Sequence, residues 1–256
     1  DFSVPTEGYE APWGTAQLTF IADKARTPTP PRSVADLLSF AKANPGRVSY
    51  PKPPDFHGTT FLKQVLIELA PDRKVLQSPV SPASFGAATA QLWAYLDQLH
   101  PALWRSGKTF PASAAEMHRM LADGELRLSL TFNPNEAANL ISSRQLPATA
   151  YSFGFTGGTI GNVHFVAIPV NAKARAGAQV VANFLLSPEA QARKADITVW
   201  GDGSVLDVNK LPASIQTAMR KTAPGALAEA VPTLAEPHAS WVEALESEWL
   251  KRYGTR

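Results

Sequence analysis

The sequence contains no cysteine, which removes disulfides, Cys-ligated zinc and thiol catalysis together. It has no apolar run long enough to span a bilayer, and no basic run longer than Lys251-Arg252. With a formal net charge of only +2, it carries no nucleic-acid footprint, and no nucleic-acid partner is expected. Several catalytic signatures are also missing. There is no G-x-S-x-G nucleophile elbow and no G-x-x-x-x-G-K-[ST] phosphate loop. The histidines at 57, 100, 118, 164 and 238 never form H-E-x-x-H, so no zinc helix and no metal site is expected. Gly157-Gly158-Thr159-Ile160-Gly161 is glycine-rich, but it precedes a strand pattern instead of opening a helix, which excludes a dinucleotide site. No cofactor is expected.

What remains is the composition of a folded protein, 45% apolar and 18% charged over 256 residues, long enough for two lobes. The chain opens at Asp1 without Met, and a leader removed from its natural start is expected. Proline is plentiful, at 22 residues, and punctuates short units.

Residues 16–22 read as a strand. Ser33 and Asp36 open a helix that Asn44-Pro45-Gly46 stops. Val48-Ser49-Tyr50 reads as a short strand. One helix opens at Gly58-Thr59-Thr60, and a longer one carries Phe85, Ala88, Leu92, Leu96 and Leu99 at helical spacing. Ser113 and Glu116 begin another, closed by Gly124. Leu126, Leu128, Leu130 and Phe132 alternate with Arg127, Ser129 and Thr131, which predicts a strand buried on one face. Asn133-Pro134-Asn135-Glu136 then reads as an N-cap and first turn. Strands follow at 151–155 and 163–168, then a helix over 176–186, a break and fresh cap at Ser187-Pro188-Glu189, and a C-terminal helix presenting Trp241, Leu245 and Trp249. This alternation predicts an α/β fold with largely parallel sheets.

Open α/β sheets bind ligands where strand ends meet helix N-termini, because free N–H groups point into the crevice there. Two segments have that form: Asp55 to Thr60, with Phe56, Thr59 and Thr60, and Asn133-Pro134-Asn135. Ordinary capping accounts for either one without a ligand. Trp13, in Pro12-Trp13-Gly14-Thr15, and Trp200, in Trp200-Gly201-Asp202-Gly203, sit in turns where a ring can stack on an organic ligand or face a cation. Trp93, Trp104, Trp241 and Trp249 lie on helical stripes and read as core.

Asn183-Phe184-Leu185-Leu186-Ser187-Pro188-Glu189-Ala190-Gln191 resembles the C-terminal helix–break–helix of type II periplasmic solute-binding proteins of ABC importers. Gly158 to Val163, running on to Ala167-Ile168-Pro169, resembles the segment by which their chain re-enters the first lobe. Together with Tyr50 to Phe56 and Leu128 to Pro134, the pattern is similar to the YnjB-type group over essentially the whole chain. The resemblance implies a two-lobed fold with a solute held in the cleft and hinge closure around it. It also implies a periplasmic location, an ABC permease as partner and no catalytic residues.

The family begins with a long N-terminal segment that this sequence does not contain. Lobe one is therefore expected to be incomplete, built from 1–22 and 151–256, with lobe two at 23–150. Carried over, Trp13, Thr59, Thr60, Asn133, Asn135 and Asn162 are the implied ligand residues. The absence of a Tyr-Tyr pair argues against ferric iron. The Trp-Gly-Thr crossover resembles that of polyamine and thiamine binders, which points to a small organic solute, with a cation as one option and Asp55 and Asp202 as its carboxylates. A two-lobed α/β enzyme of transferase type and a periplasmic sensor module are the alternatives.

Overall fold

The computed structural model describes residues 5–219 and 223–254. Its regular elements are β1 (Glu10–Gln17), β2 (Thr19–Asp23), α1 (Val34–Ala43), α2 (Phe56–Leu69), α3 (Pro82–Leu99), α4 (Ala114–Ala122), β3 (Leu128–Thr131), α5 (Glu136–Ser142), β4 (Ala150–Phe153), β5 (Thr159–Ala167), α6 (Arg175–Leu185), α7 (Pro188–Ala195), α8 (Ala213–Met219), β6 (Thr233–Leu234) and α9 (Ser240–Tyr253). The strands form two three-stranded sheets, ordered β1-β5-β6 and β3-β2-β4. The chain leaves the first sheet and enters the second between Gln17 and Thr19, where Leu18 is fully buried.

The expected run of parallel strands is corrected here. β1–β5, β2–β3 and β2–β4 are antiparallel, and β5–β6 is parallel. Alternation of helix and strand predicts parallel pairing only when successive strands are neighbours. In this chain β2 sits between strands that come more than a hundred residues later.

Local signals place the helices. Ser33 accepts from Asp36 N–H at 3.0 Å, Ser113 from Glu116 N–H at 3.2 Å, and Ser187 from Ala190 N–H at 3.2 Å, each an N-cap bond that the sequence anticipated. Asn133 is not the N-cap that the sequence predicts. Helix α5 starts at Glu136, and Asn133 closes a turn before it, its Oδ1 accepting from Asn135 N–H at 3.0 Å. Val48-Ser49-Tyr50 is buried but joins neither sheet. Trp104 N–H donates to Val48 O, and Arg127 N–H to the carbonyl of Arg47 just before the segment. Strand β3 is buried on both faces, not one, with Ser129 and Thr131 as enclosed as Leu128 and Leu130. Helix α4 covers the second face, and His118 Nδ1 meets Ser129 Oγ at 2.8 Å.

The C-terminal helix was expected to pack with residues 151 onward. It packs instead on α2 and α3. Trp241, Leu245 and Trp249 are fully buried, and Phe85 stacks on Trp241. Trp241 Nε1 donates to Ser78 O at 3.0 Å, and Trp249 Nε1 to Tyr50 Oη at 2.8 Å. Tyr50 Oη also meets His100 Nε2 at 2.7 Å, and burial pushes the Tyr50 phenol well above its ordinary range. Trp93 joins this core, while Trp104 is only partly buried, under the Arg105 guanidinium.

Helix α6 has no buried residue, and Val180, Val181 and Phe184 are 70%, 56% and 60% exposed. Apolar side chains grouped in this way mark a surface that associates.

Two outcomes are expected. Trp249→Ala removes a large core side chain and the donor to Tyr50, and should cost about 3–5 kcal/mol in urea denaturation. The 256-residue chain should self-associate in sedimentation velocity, and Val180→Ser with Phe184→Ser should weaken that association without lowering the melting temperature.

Candidate functional site

The strand β1 is kinked where the site begins. Pro12 pairs with Phe165 and Gly14 with His164, so Trp13 is the extra residue of a bulge. A bulge re-aims one side chain out of the ladder. Here the Trp13 ring meets Trp200, with centroids 5.9 Å apart, and stands 5.1 Å from Lys194 Nζ. The next residue has to be glycine, because a Cβ on Gly14 would lie 2.1 Å from Asp202 Oδ2.

Asp202 and Lys194 form a buried ion pair at 2.8 Å, with side chains 8% and 2% exposed. Lys194 ends α7, and its carbonyl accepts from Gly201 and Asp202 N–H. The loop carrying Trp200 therefore folds back over the helix end. Helix α5 holds the same loop from the other side. Asn135 Nδ2 donates to Gly201 O at 2.7 Å, and Asn139 Nδ2 to Trp200 O at 2.9 Å.

Between these parts lies a gap of about 310 Å³ lined by Ala16, Phe56, His57, Thr131, Phe132, Asn133, His164, Trp200 and Asp202. This is within the size of small-molecule sites, and aromatic walls with a few polar groups are their usual make-up. A larger hollow, about 440 Å³ at Asp97, His100 and Tyr253, brings together none of the residues that the sequence singled out.

The gap gathers Phe56, Asn133, Trp200 and Asp202, with Trp13 behind Trp200 and Asn135 on the loop. It does not gather Thr59, Thr60 or Asn162. Thr59 and Thr60 are buried in α2, where the Thr59 hydroxyl donates to Glu246 of α9 at 2.6 Å and Thr60 Oγ1 has no partner. Gly58 is small because the Pro51 carbonyl presses on it, 2.1 Å from a would-be Cβ, and not to admit a ligand. Asn162 Nδ2 donates to Glu236, which also holds buried Lys63. Asp55 caps α2, its Oδ1 accepting from His57 and Gly58 N–H. Five lining residues lie outside the expected ligand set: Ala16, His57, Thr131, Phe132 and His164. Of these, His57 falls within the segment Asp55 to Thr60, and His164 directly follows the segment Gly158 to Val163.

Burial lowers the pKa of His57, against the pull of Asp55, and burial with the nearby His57 lowers His118 to about 4. Both imidazoles are therefore neutral in the folded protein at neutral pH.

The gap thus lies between residues of β1 and β5 on one side and of β3 and α2 on the other, with the Trp200 loop across it. The chain belongs to the family of bacterial extracellular solute-binding proteins, which matches residues 2–223. Protein YnjB of Escherichia coli (strain K12) is 61% identical over 255 residues, covering 100% of this chain and 65% of that protein. The chain thus spans just under two thirds of that relative's length. Among solved structures, a periplasmic thiamin binding protein is similar with a TM-score of 0.56 at 19% identity, covering 98% of this chain and 67% of the other. A spermidine/putrescine ABC transporter substrate-binding protein from Streptococcus pneumoniae has a TM-score of 0.61 at 14% identity, covering 98% and 70%. These likenesses show the same fold.

A histidine whose folded pKa is depressed leaves stability intact above its unfolded value and removes it as pH falls toward the folded one. Stability should therefore decline between pH 6.5 and about 4, and His118→Asn should flatten that part of the urea-midpoint profile while leaving pH 8 nearly level.

Proposed function

We propose that this chain is the solute-capturing component of an ABC-type importer, working in the periplasm and delivering a small organic solute to a membrane permease. The observation that carries the reading is the aromatic-walled gap, which joins Phe56 and Phe132 beside α2 and β3 to Trp200 and Asp202 beside α7. Rings on either side of the gap then close on one solute, as hinge closure requires. The membership of the solute-binding family supports it, and among the described residues no helix is long and apolar enough to cross a membrane. The proposed lobes are 23–150, and 1–22 with 151–256, except that β2 and β4 share a sheet with β3 and α9 docks on α2 and α3. The names of two structural neighbours, binders of thiamin and of spermidine or putrescine, lend support to a small organic solute.

Native mass spectrometry of the protein, purified without refolding, tests the reading. A small organic molecule released on activation is the expected result, and a protein that never retains one argues for a different role. Trp13→Ala takes the support from behind Trp200 and should weaken binding about tenfold in titration calorimetry, since a ring contact is worth on the order of 1–2 kcal/mol when desolvated. An equal affinity, or a loss matched by a fall in melting temperature, would return Trp13 to a structural role.

A further inference from the structure

A site for an organic cation needs a carboxylate and an aromatic face turned toward the same point. Trp13 and Asp202 make such a pair, and the protein has filled it with its own cation. Lys194 Nζ lies 2.8 Å from Asp202 Oδ2 and 5.1 Å from the Trp13 centroid. It also donates to the carbonyls of Asp202, at 3.4 Å, and Gly203. Gly14 keeps the space open, since any side chain there would strike the Asp202 carboxylate.

We propose that Lys194 is a specificity-determining residue, a tethered cation that occupies an aromatic–carboxylate cage at the Asp202 wall of the cleft and leaves the cleft to uncharged planar solutes. This rests on the reading that the gap holds a solute. Of the residues that line it, Asp202 alone carries a carboxylate, and that carboxylate is neutralised before a solute arrives. Separating the pair would leave a charge buried without a partner, which is strongly unfavourable. What the gap still offers is flat apolar surface from Phe56, Phe132 and Trp200, with hydrogen-bonding groups on Thr131, Asn133, His57 and His164. Rings edged by neutral donors and acceptors suit a heteroaromatic solute, which stacks by its face and is read along its edge. A polyamine would find no free carboxylate among the described residues that line it.

Titration calorimetry at pH 8 with adenine and cytosine as uncharged planar probes, and thiamine, spermidine and choline as cationic ones, tests this. The wild type is expected to bind an uncharged probe and none of the cations. Lys194→Met frees the cage, so choline or thiamine should bind it at least about tenfold more tightly than the wild type, the scale of one desolvated cation–aromatic contact. Lys194→Met with Asp202→Asn should lose that gain. Wild-type binding of thiamine or spermidine overturns the proposal while upholding solute capture, and so does Lys194→Met if it melts cooperatively and stays indifferent to cations. Should Lys194→Met fail to fold, the wild-type probes decide alone: an uncharged probe bound without the cations supports the proposal, and none bound overturns it. Solute capture itself is judged separately, by the molecule that native mass spectrometry finds released.

Discussion

At Leu18 a fully buried backbone must satisfy its polar groups while belonging to neither sheet. A buried N–H without a partner costs roughly 1–3 kcal/mol, so this crossing tolerates one arrangement only. Leu18 N–H donates to Ile160 O at 2.7 Å, and Gln17 N–H to Phe132 O at 3.0 Å. Gln64, fully buried on α2, completes it: its Oε1 accepts from Ile160 N–H at 2.9 Å, and its Nε2 donates to Gly158 O at 3.1 Å. Three strands and a helix are thereby fixed at one point. The cleft follows from that point, because the ends of β1 and β3 both emerge from it and the middle of α2 is tied to it.

Features set by neighbours in sequence were legible. Serine caps at 33, 113 and 187 and the Trp241–Leu245–Trp249 stripe depend on residues within a turn or two, and sequence spacing reports these directly. Strand direction, the fate of Val48 to Tyr50 and the docking of α9 depend on contacts between residues far apart in the chain. Tyr50 meets Trp249 across 199 positions, and nothing near Tyr50 announces it.

The site divides in the same way. Phe56, Asn133, Trp200 and Asp202 line the gap, as residues at strand and helix ends face crevices. Thr59 stands apart from it because a hydroxyl at a helix start serves a neighbouring helix as readily as a ligand, here Glu246 of α9, and Thr60 lies buried in the same turn. Asn162 stands apart for a related reason: its amide is held by Glu236, 74 positions on. Lys194 was invisible, since a lysine in the last turn of a helix reads as a solvated charge near the dipole. Only the bulge at Trp13 and the small residue at Gly14 make room for it inside.

Among the described residues, a buried lysine is paired with a carboxylate at two joints. Lys63 of α2 pairs with Glu236, which also holds Asn162 of β5, and Lys194 of α7 pairs with Asp202 beside β1. Buried pairs add little net stability compared with apolar packing, yet breaking one strands a charge. Their effect is therefore on geometry: each lets its elements meet in one register and penalises any other. The second pair stands at the wall of the cleft, so the requirement that fixes the Trp200 loop also removes the carboxylate a cation would need. Structural order and ligand choice are thus set by one ion pair, and the remaining discrimination falls to ring shape and to neutral hydrogen-bonding edges.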